Sequence, residues 1–147
     1  LLMKKIFNFA IIFYFIFNIS SNSISNENYF DKGLKLFQKK KYEDALFMFE
    51  RNIVFNPKDS NSYLYMAKIY NKTEDQDKEE KNLETTLLIE PNNEEAMLMT
   101  MKIALKKSNY SKVKNLSKTF SEICINLCKE NKDILEALKN IEPKNES

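Results

Sequence analysis

Cys124 and Cys128 are the residues whose type and spacing most directly suggest chemistry. Cysteines four positions apart lie on one face of a helix, where they could form a redox pair or supply half of a metal site. A continuous helix holds such Cα atoms about 6 Å apart with side chains that do not converge, so a disulfide would distort it. The chain has no histidine and no third cysteine, which leaves only carboxylates to complete a metal site. We therefore expect two reduced cysteines, or at least a bridge that the structure does not need, with side chains that pack as small hydrophobic groups and with no metal and no cofactor.

The rest of the chain offers little support for catalysis. Glu79 and Glu80 form a carboxylate pair, but the sequence indicates no nucleophile or desolvated pocket beside them. The absence of histidine removes the commonest general base, and a single glycine, Gly33, excludes the phosphate-binding loops that need several. Lys4 and Lys5 account for the whole net charge of +2, so the remaining neutral body gives no electrostatic basis for binding nucleic acid. We expect a protein that is not an enzyme.

Residues 1–25 have the layout of a secretory signal peptide. Lys4 and Lys5 precede an apolar run over residues 6–19, and a serine-rich stretch follows. The run is shorter than the ~20 residues that a membrane-spanning helix normally needs. Cleavage after Ser23 or Ser25 would satisfy the preference for small residues, while an uncleaved anchor through residues 4–19 and a buried core helix are the alternatives. We expect an exported protein, periplasmic or associated with the cell envelope, that touches the membrane only through this segment.

Beyond residue 25, the sequence repeats with a period of 34 residues. Pro57 and Pro91 lie 34 residues apart and frame two blocks, 26–59 and 60–93. Ala45 and Phe49 lie on one face of a predicted helix in the first block, and Asp59 and Asn93, just past each proline, stand where helix N-caps are needed. A period of this length predicts stacked helical hairpins and an all-α fold. The paired positions of the two blocks are Tyr29 and Tyr63, Gly33 and Ala67, Leu36 and Tyr70, and Phe49 and Leu83.

This pattern resembles the tetratricopeptide repeat, a family of stacked helical hairpins. The matching residues are Tyr29, Gly33, Leu36, Ala45-x-x-x-Phe49 and Pro57, and the match is clear over residues 26–93 and weak to about residue 120. Glu79 departs from the family pattern, because a small residue is expected where the two helices of the second block touch. We therefore expect the second helix of that block to start late and to pack less closely.

The last part of the chain departs further from the pattern. The third block, residues 94–127, lacks a closing proline and is degenerate. An apolar stripe from Tyr110 through Phe120 to Cys128 predicts a long second helix. Asn131 is predicted to cap a final helix over residues 132–141. Residues 128–142 then form a cap on the exposed end of a short solenoid of antiparallel hairpins, and residues 143–147 form a tail.

What the resemblance implies is peptide or protein binding on the concave side, which the first helix of each block lines. Chaperone-binding members of the family use lysine and asparagine there to clamp two carboxylates, but Phe30 and Leu34 replace them in the first block. Several large apolar groups on one face indicate that the ligand is an apolar or aromatic peptide and not an acidic chain terminus. The export segment or a second copy of the chain could cover this face instead. The inner positions that the family implies are Phe30, Leu34, Phe37, Leu64, Lys68, Asn71, Leu98, Lys102 and Leu105.

Two functions fit these observations. The first is an exported adaptor, scaffold or assembly factor of a bacterial cell envelope. The alternative is a cytosolic secretion chaperone of the same repeat class, which a genuine signal peptide would exclude. In both cases the partner is another protein or peptide, self-association is possible, and nucleic acid is not a ligand.

Overall fold

Residues 28–141 of the computed structural model can be described, and they contain seven α-helices arranged as antiparallel hairpins. The prediction of an all-α fold is confirmed. The predicted signal segment and tail fall in residues 1–27 and 142–147, outside the described range. The helices are α1 Tyr29–Gln38, α2 Tyr42–Phe55, α3 Ser60–Lys72, α4 Gln76–Ile89, α5 Glu94–Lys106, α6 Tyr110–Ile123 and α7 Cys128–Ile141.

The helices begin with the same 34-residue period as the prolines. The first helices α3, α5 and α7 start at residues 60, 94 and 128, and the second helices α2, α4 and α6 start at residues 42, 76 and 110. Asp59 and Asn93 cap α3 and α5 as predicted, because each side chain accepts a hydrogen bond from a backbone N–H of the first turn. The late start that we predicted for α4 is wrong, since Gln76 lies in register with Tyr42 and Tyr110.

The turn inside each hairpin also follows the period. Lys40, Glu74 and Ser108 have φ angles of 58°, 61° and 55°, the left-handed conformation that commonly ends a helix. In each turn the next backbone N–H donates to a carbonyl five residues earlier, as from Lys41 to Leu36 at 3.0 Å. This hydrogen bond satisfies a carbonyl at the end of the first helix. The hairpins therefore close without the glycine that this conformation usually favours.

Gly33 allows α1 and α2 to approach closely around Phe49. The Phe49 ring is fully buried and contacts the rings of Phe30 and Tyr65 at centroid distances of 5.6 and 5.5 Å. A Cβ atom on residue 33 would lie 2.7 Å from Cε1 of Phe49. The small residue at this position of the repeat is therefore a packing requirement of the first hairpin.

We expect Gly33→Ala to lower the free energy of unfolding by about 1–3 kcal/mol, because the added methyl group overpacks a core that cannot yield. This loss outweighs the gain of up to about 1 kcal/mol in helix propensity. Urea unfolding followed by circular dichroism measures the difference. Adding Phe49→Leu should relieve the clash, so the effects of the two substitutions should be less than additive. Full additivity would contradict the proposed contact.

Glu79 does not loosen the second hairpin, and our prediction of looser packing there is wrong. The contact between α3 and α4 is the most extensive of any helix pair in residues 28–141. Glu79 is 4% exposed, and Nδ2 of Asn71 donates a 2.9 Å hydrogen bond to its Oε1 atom. Burial raises the pKa of the Glu79 carboxyl above its ordinary value. The polar side chain is tolerated because α3 supplies an amide partner.

The chain breaks between α6 and α7, where we predicted a continuous helix. Helix α6 ends at Ile123, and Cys124 has an extended backbone with a ψ angle of 137°. Cys124 and Cys128 form a disulfide with a Cα–Cα distance of 5.4 Å, so the prediction of reduced cysteines is wrong. The two cysteines can be bonded because the helix whose geometry opposed the bond does not continue between them.

A single carboxylate also holds this break in place. Glu94, at the start of α5, accepts hydrogen bonds from the backbone N–H groups of Ile125, Asn126 and Leu127 at 2.6, 3.1 and 2.8 Å. These hydrogen bonds, that of Ile125 above all, lower the pKa of the Glu94 carboxyl. They satisfy donors that a continuous helix would have paired internally.

Asn131 does not cap the last helix, contrary to our prediction. Helix α7 begins three residues earlier, and Asn131 is 4% exposed inside it. Its Nδ2 atom donates to the carbonyl of Ser117 and to Oγ of Ser121, at 3.2 and 3.0 Å. Asn131 therefore ties α7 to α6. The apolar side of α7, with Ile134 and Leu138, joins the core that α5 and α6 form.

Reducing the disulfide should lower the free energy of unfolding by about 2 kcal/mol, because the bond closes only a short loop in the unfolded chain. We expect a lower melting temperature in reductant with unchanged helical circular dichroism below the transition. A Cys124→Ala/Cys128→Ala variant should melt at the same temperature with and without reductant. An oxidised wild-type protein that melts like the reduced one would contradict this expectation.

Candidate binding cleft

A cleft of about 690 Å³ opens between the first helices of the hairpins. Phe37 of α1 stands at one end, α3 and α5 form the two sides, and Glu79 of α4 also lines it. The cleft brings together five of the nine residues that we predicted for the concave face, namely Phe37, Lys68, Asn71, Lys102 and Leu105. The remaining lining residues are Lys72, Glu79, Glu95, Met99, Ile103 and Lys106.

Two of the other predicted residues belong to the core. Leu64 and Leu98 are each 4% exposed, so the prediction that they present side chains to a ligand is wrong. Leu64 packs in a cluster with Leu83 and Ile103, and Leu98 packs in the cluster that contains Phe120. The same repeat position is buried in these blocks because helices on both sides cover it.

Phe30 and Leu34 are half-buried and do not line the cleft. Phe30 contacts Phe49 and lies edge-on to Tyr65 at a centroid distance of 5.8 Å. It therefore helps to join α1 to α2 and α3. Of the predicted residues, those that line the cleft lie in the C-terminal halves of α1, α3 and α5.

Apolar and basic side chains share the cleft. Phe37, Met99 and Leu105 are half-buried there, so each keeps apolar surface available. Nζ of Lys68 lies 2.7 Å from Oε2 of Glu95 and 4.3 Å from the centre of the Tyr65 ring. The arrangement offers apolar contact and charge, which are the means of binding a polypeptide segment.

The side chains that sequence reasoning missed are mainly Lys72 and Lys106. Each lies four residues after a predicted cleft residue, Lys68 or Lys102, on the same side of its helix. The family pattern also places the thirteenth position of each block on the inner face, and Lys72 and Lys106 stand at that position, but our prediction did not name them. The repetition of lysine one period apart was visible in the sequence.

No set of three or more Cys, Asp or Glu side chains within residues 28–141 is placed to hold a metal ion. In the same part of the chain, no helix has the length and apolar character needed to cross a membrane.

The helical order and period define a tetratricopeptide-like solenoid, and comparison with solved structures agrees. The type III secretion chaperone SycD of Yersinia enterocolitica, in complex with a peptide of the translocator YopD, matches with a TM-score of 0.71 and 19% identity over 83% of this chain and 100% of that chain. A second SycD structure, described as an alternative dimer, matches with a TM-score of 0.70 and 20% identity over 81% and 97%. The Sgt2 TPR domain of Aspergillus fumigatus matches with a TM-score of 0.62 and 13% identity over 80% and 79%.

At these identities the likeness establishes the fold. No protein-family model matches the sequence, and a search of curated proteins finds no significant relative. The fold is the one that these chaperone and TPR-domain structures share, and the expectation that the protein is not an enzyme stays a prediction.

Proposed function

We propose that this protein binds a segment of another protein in the cleft between its first helices, as a secretion chaperone does. The observation that carries the proposal is the cleft itself, which combines Phe37, Met99 and Leu105 with charged side chains in a space of about 690 Å³. Apolar anchors provide affinity and polar groups fix the orientation of a bound segment. Phe37, Met99 and Leu105 each pack against a core cluster on one side and keep part of their surface exposed, so the fold holds these apolar groups in place for a ligand.

The similarity to SycD supports this proposal over the alternatives. That chaperone was crystallised with a peptide of a translocator, and it shares the fold of this chain over its whole length. The Sgt2 domain adds a second protein of the same architecture. A chaperone of this kind would keep a partner's apolar segment covered until the partner is assembled or exported.

An exported adaptor of the cell envelope is a second candidate, and the disulfide favours it. Bonds such as Cys124–Cys128 persist in oxidising compartments and are rare in a reducing cytosol. The basic and apolar layout of residues 1–25 points the same way. Cell fractionation with intact-mass measurement decides between the candidates. Export predicts a mature chain that begins at Ile24 or Asn26, and a full-length chain in the cytosol supports the chaperone.

Affinity capture from the protein's own cells tests the binding proposal. The full chain should retain one or a few proteins, identified by mass spectrometry, and Phe37→Ser/Leu105→Ser should lose them. Leu88→Ser is the matched control, because Leu88 is 83% exposed on the second helix α4 and lies outside the cleft. Equal capture by all three proteins would contradict a role for the cleft.

A further inference from the structure

Four lysines of the cleft form a two-by-two array set by the repeat. Lys68 and Lys72 lie four residues apart on α3, and Lys102 and Lys106 occupy the same positions one 34-residue period later on α5. All four line the cleft. Residues four apart on a helix are neighbours on its surface. The stacking of α3 beside α5 therefore places two lysine pairs side by side along one opening.

The array is confined to the middle of the solenoid. The equivalent positions of α1 are Leu34 and Gln38, and those of α7 are Glu136 and Asn140. The fold forms around all of these side chains, so the lysines are not a structural requirement of the repeat. Their restriction to the two helices that flank the cleft suggests a role in the cleft.

Glu79 and Glu95 also line the cleft and offset half of this charge, so the four lysines leave a net positive cleft. Lys68 is paired with Glu95, but Lys72, Lys102 and Lys106 form no ion pair among residues 28–141. Like charges four residues apart on a helix repel each other and destabilise it. Glu79 is buried, accepts a hydrogen bond from Asn71 and attracts Lys106, which leaves Lys72 and Lys102 without a carboxylate partner among the residues that line the cleft. An external anion would relieve this repulsion.

We propose that the cleft selects an extended segment that carries an apolar anchor and two carboxylate side chains at alternate positions. Alternate side chains of an extended chain point to the same side and lie about 7 Å apart. This spacing matches the roughly 6 Å between helix neighbours four residues apart, such as Lys102 and Lys106. The anchor packs against Phe37, Met99 and Leu105. This inference rests on the proposed function and specifies its partner.

The charge of residues 1–25 also argues against this predicted export segment as the ligand of the cleft. Residues 1–25 contain Lys4 and Lys5 but no acidic residue, since the first is Glu27. A segment of that composition brings further positive charge to the lysine array. The chemistry of the cleft therefore points to an acidic segment of a different protein.

Peptide binding measured by fluorescence anisotropy tests the selection. The probe is a short synthetic peptide with both ends blocked, containing Leu-Phe followed by Glu-x-Glu, and its matched control carries Gln-x-Gln. The full chain should bind the glutamate peptide about tenfold more tightly, with the preference lost at high salt. Lys102→Gln/Lys106→Gln should remove the preference. Lys81→Gln/Lys118→Gln should retain it, because these exposed lysines of α4 and α6 change the net charge equally outside the cleft.

The outcomes separate this inference from the proposed function. Equal affinity for the two peptides, with both weakened by Phe37→Ser, overturns the selection of carboxylates and leaves the binding cleft standing. A glutamine peptide with a free carboxyl terminus that binds as well as the glutamate peptide overturns the inference in favour of a chain terminus. Absence of binding by every peptide, together with cellular capture that Phe37→Ser/Leu105→Ser does not affect, overturns both.

Discussion

The double substitution Leu64→Ser/Leu98→Ser is expected to unfold the protein at room temperature. Each side chain is 4% exposed, and the two lie in different core clusters. Truncating a buried leucine costs about 2–5 kcal/mol, and a buried hydroxyl adds to this loss. Two such losses together are comparable to the whole free energy of unfolding of a domain of this kind, which is usually about 5–15 kcal/mol. Loss of the helical circular dichroism signal at 25 °C would be the observed result.

Leu88→Ser is the control for this experiment, because Leu88 is 83% exposed. It should change the free energy of unfolding by no more than about 0.5 kcal/mol. A double variant that melts cooperatively near the wild-type temperature would show that Leu64 and Leu98 are not core residues. The role that the family resemblance implied for them, as part of the binding surface, would then be supported.

Phe49→Ala should be the most destabilising single substitution of the first hairpin, lowering the free energy of unfolding by about 3–5 kcal/mol. The ring is fully buried on α2 and contacts Phe30 of α1 and Tyr65 of α3. Its loss leaves a cavity where three helices meet. Urea denaturation followed by circular dichroism gives the value.

Phe47→Ala is the matched control, since it removes the same side chain from the same helix. Phe47 is 51% exposed, so its truncation should cost about 1 kcal/mol or less. Similar losses for the two variants would contradict the burial that the structure assigns to Phe49.

The helices and their period could be predicted because the signals are local. Proline after α2 and α4, an Asp or Asn cap and the spacing of apolar residues act within one block. Asp59 caps α3 through a backbone N–H only three residues away. Such features are readable from sequence wherever the chain itself supplies the partner.

The break between α6 and α7 could not be predicted for the opposite reason. An apolar stripe through Cys124 is consistent with a continuous helix, but the competing hydrogen bonds come from Glu94, about thirty residues earlier. Asn131 is likewise a residue type that often caps helices, and only the packing of α7 on α6 brings it to its hydrogen-bond partners, the Ser117 carbonyl and the Ser121 hydroxyl. Both outcomes depend on contacts between helices, which local spacing does not encode.

The candidate cleft was predictable in part. Family positions led to Phe37, Lys68, Asn71, Lys102 and Leu105, but they also included Leu64 and Leu98. Burial at that position depends on whether neighbouring hairpins cover it, and the first block has a neighbour on one side only among the described residues. The lysine array was readable from the sequence, because its members stand at the ninth and thirteenth positions of the second and third blocks, which the family pattern places on the inner face.

Site-specific photo-cross-linking tests the central claim, that the cleft holds a segment of another protein. A benzophenone amino acid replaces either Met99, which lines the cleft, or Leu88, which is 83% exposed on α4. Both variants are first shown to keep the wild-type helical signal. The account predicts that irradiation of cells joins a partner protein to the chain at position 99 and not at position 88. Cross-links at position 88 alone, or at neither position while affinity capture still retains a partner, would contradict it.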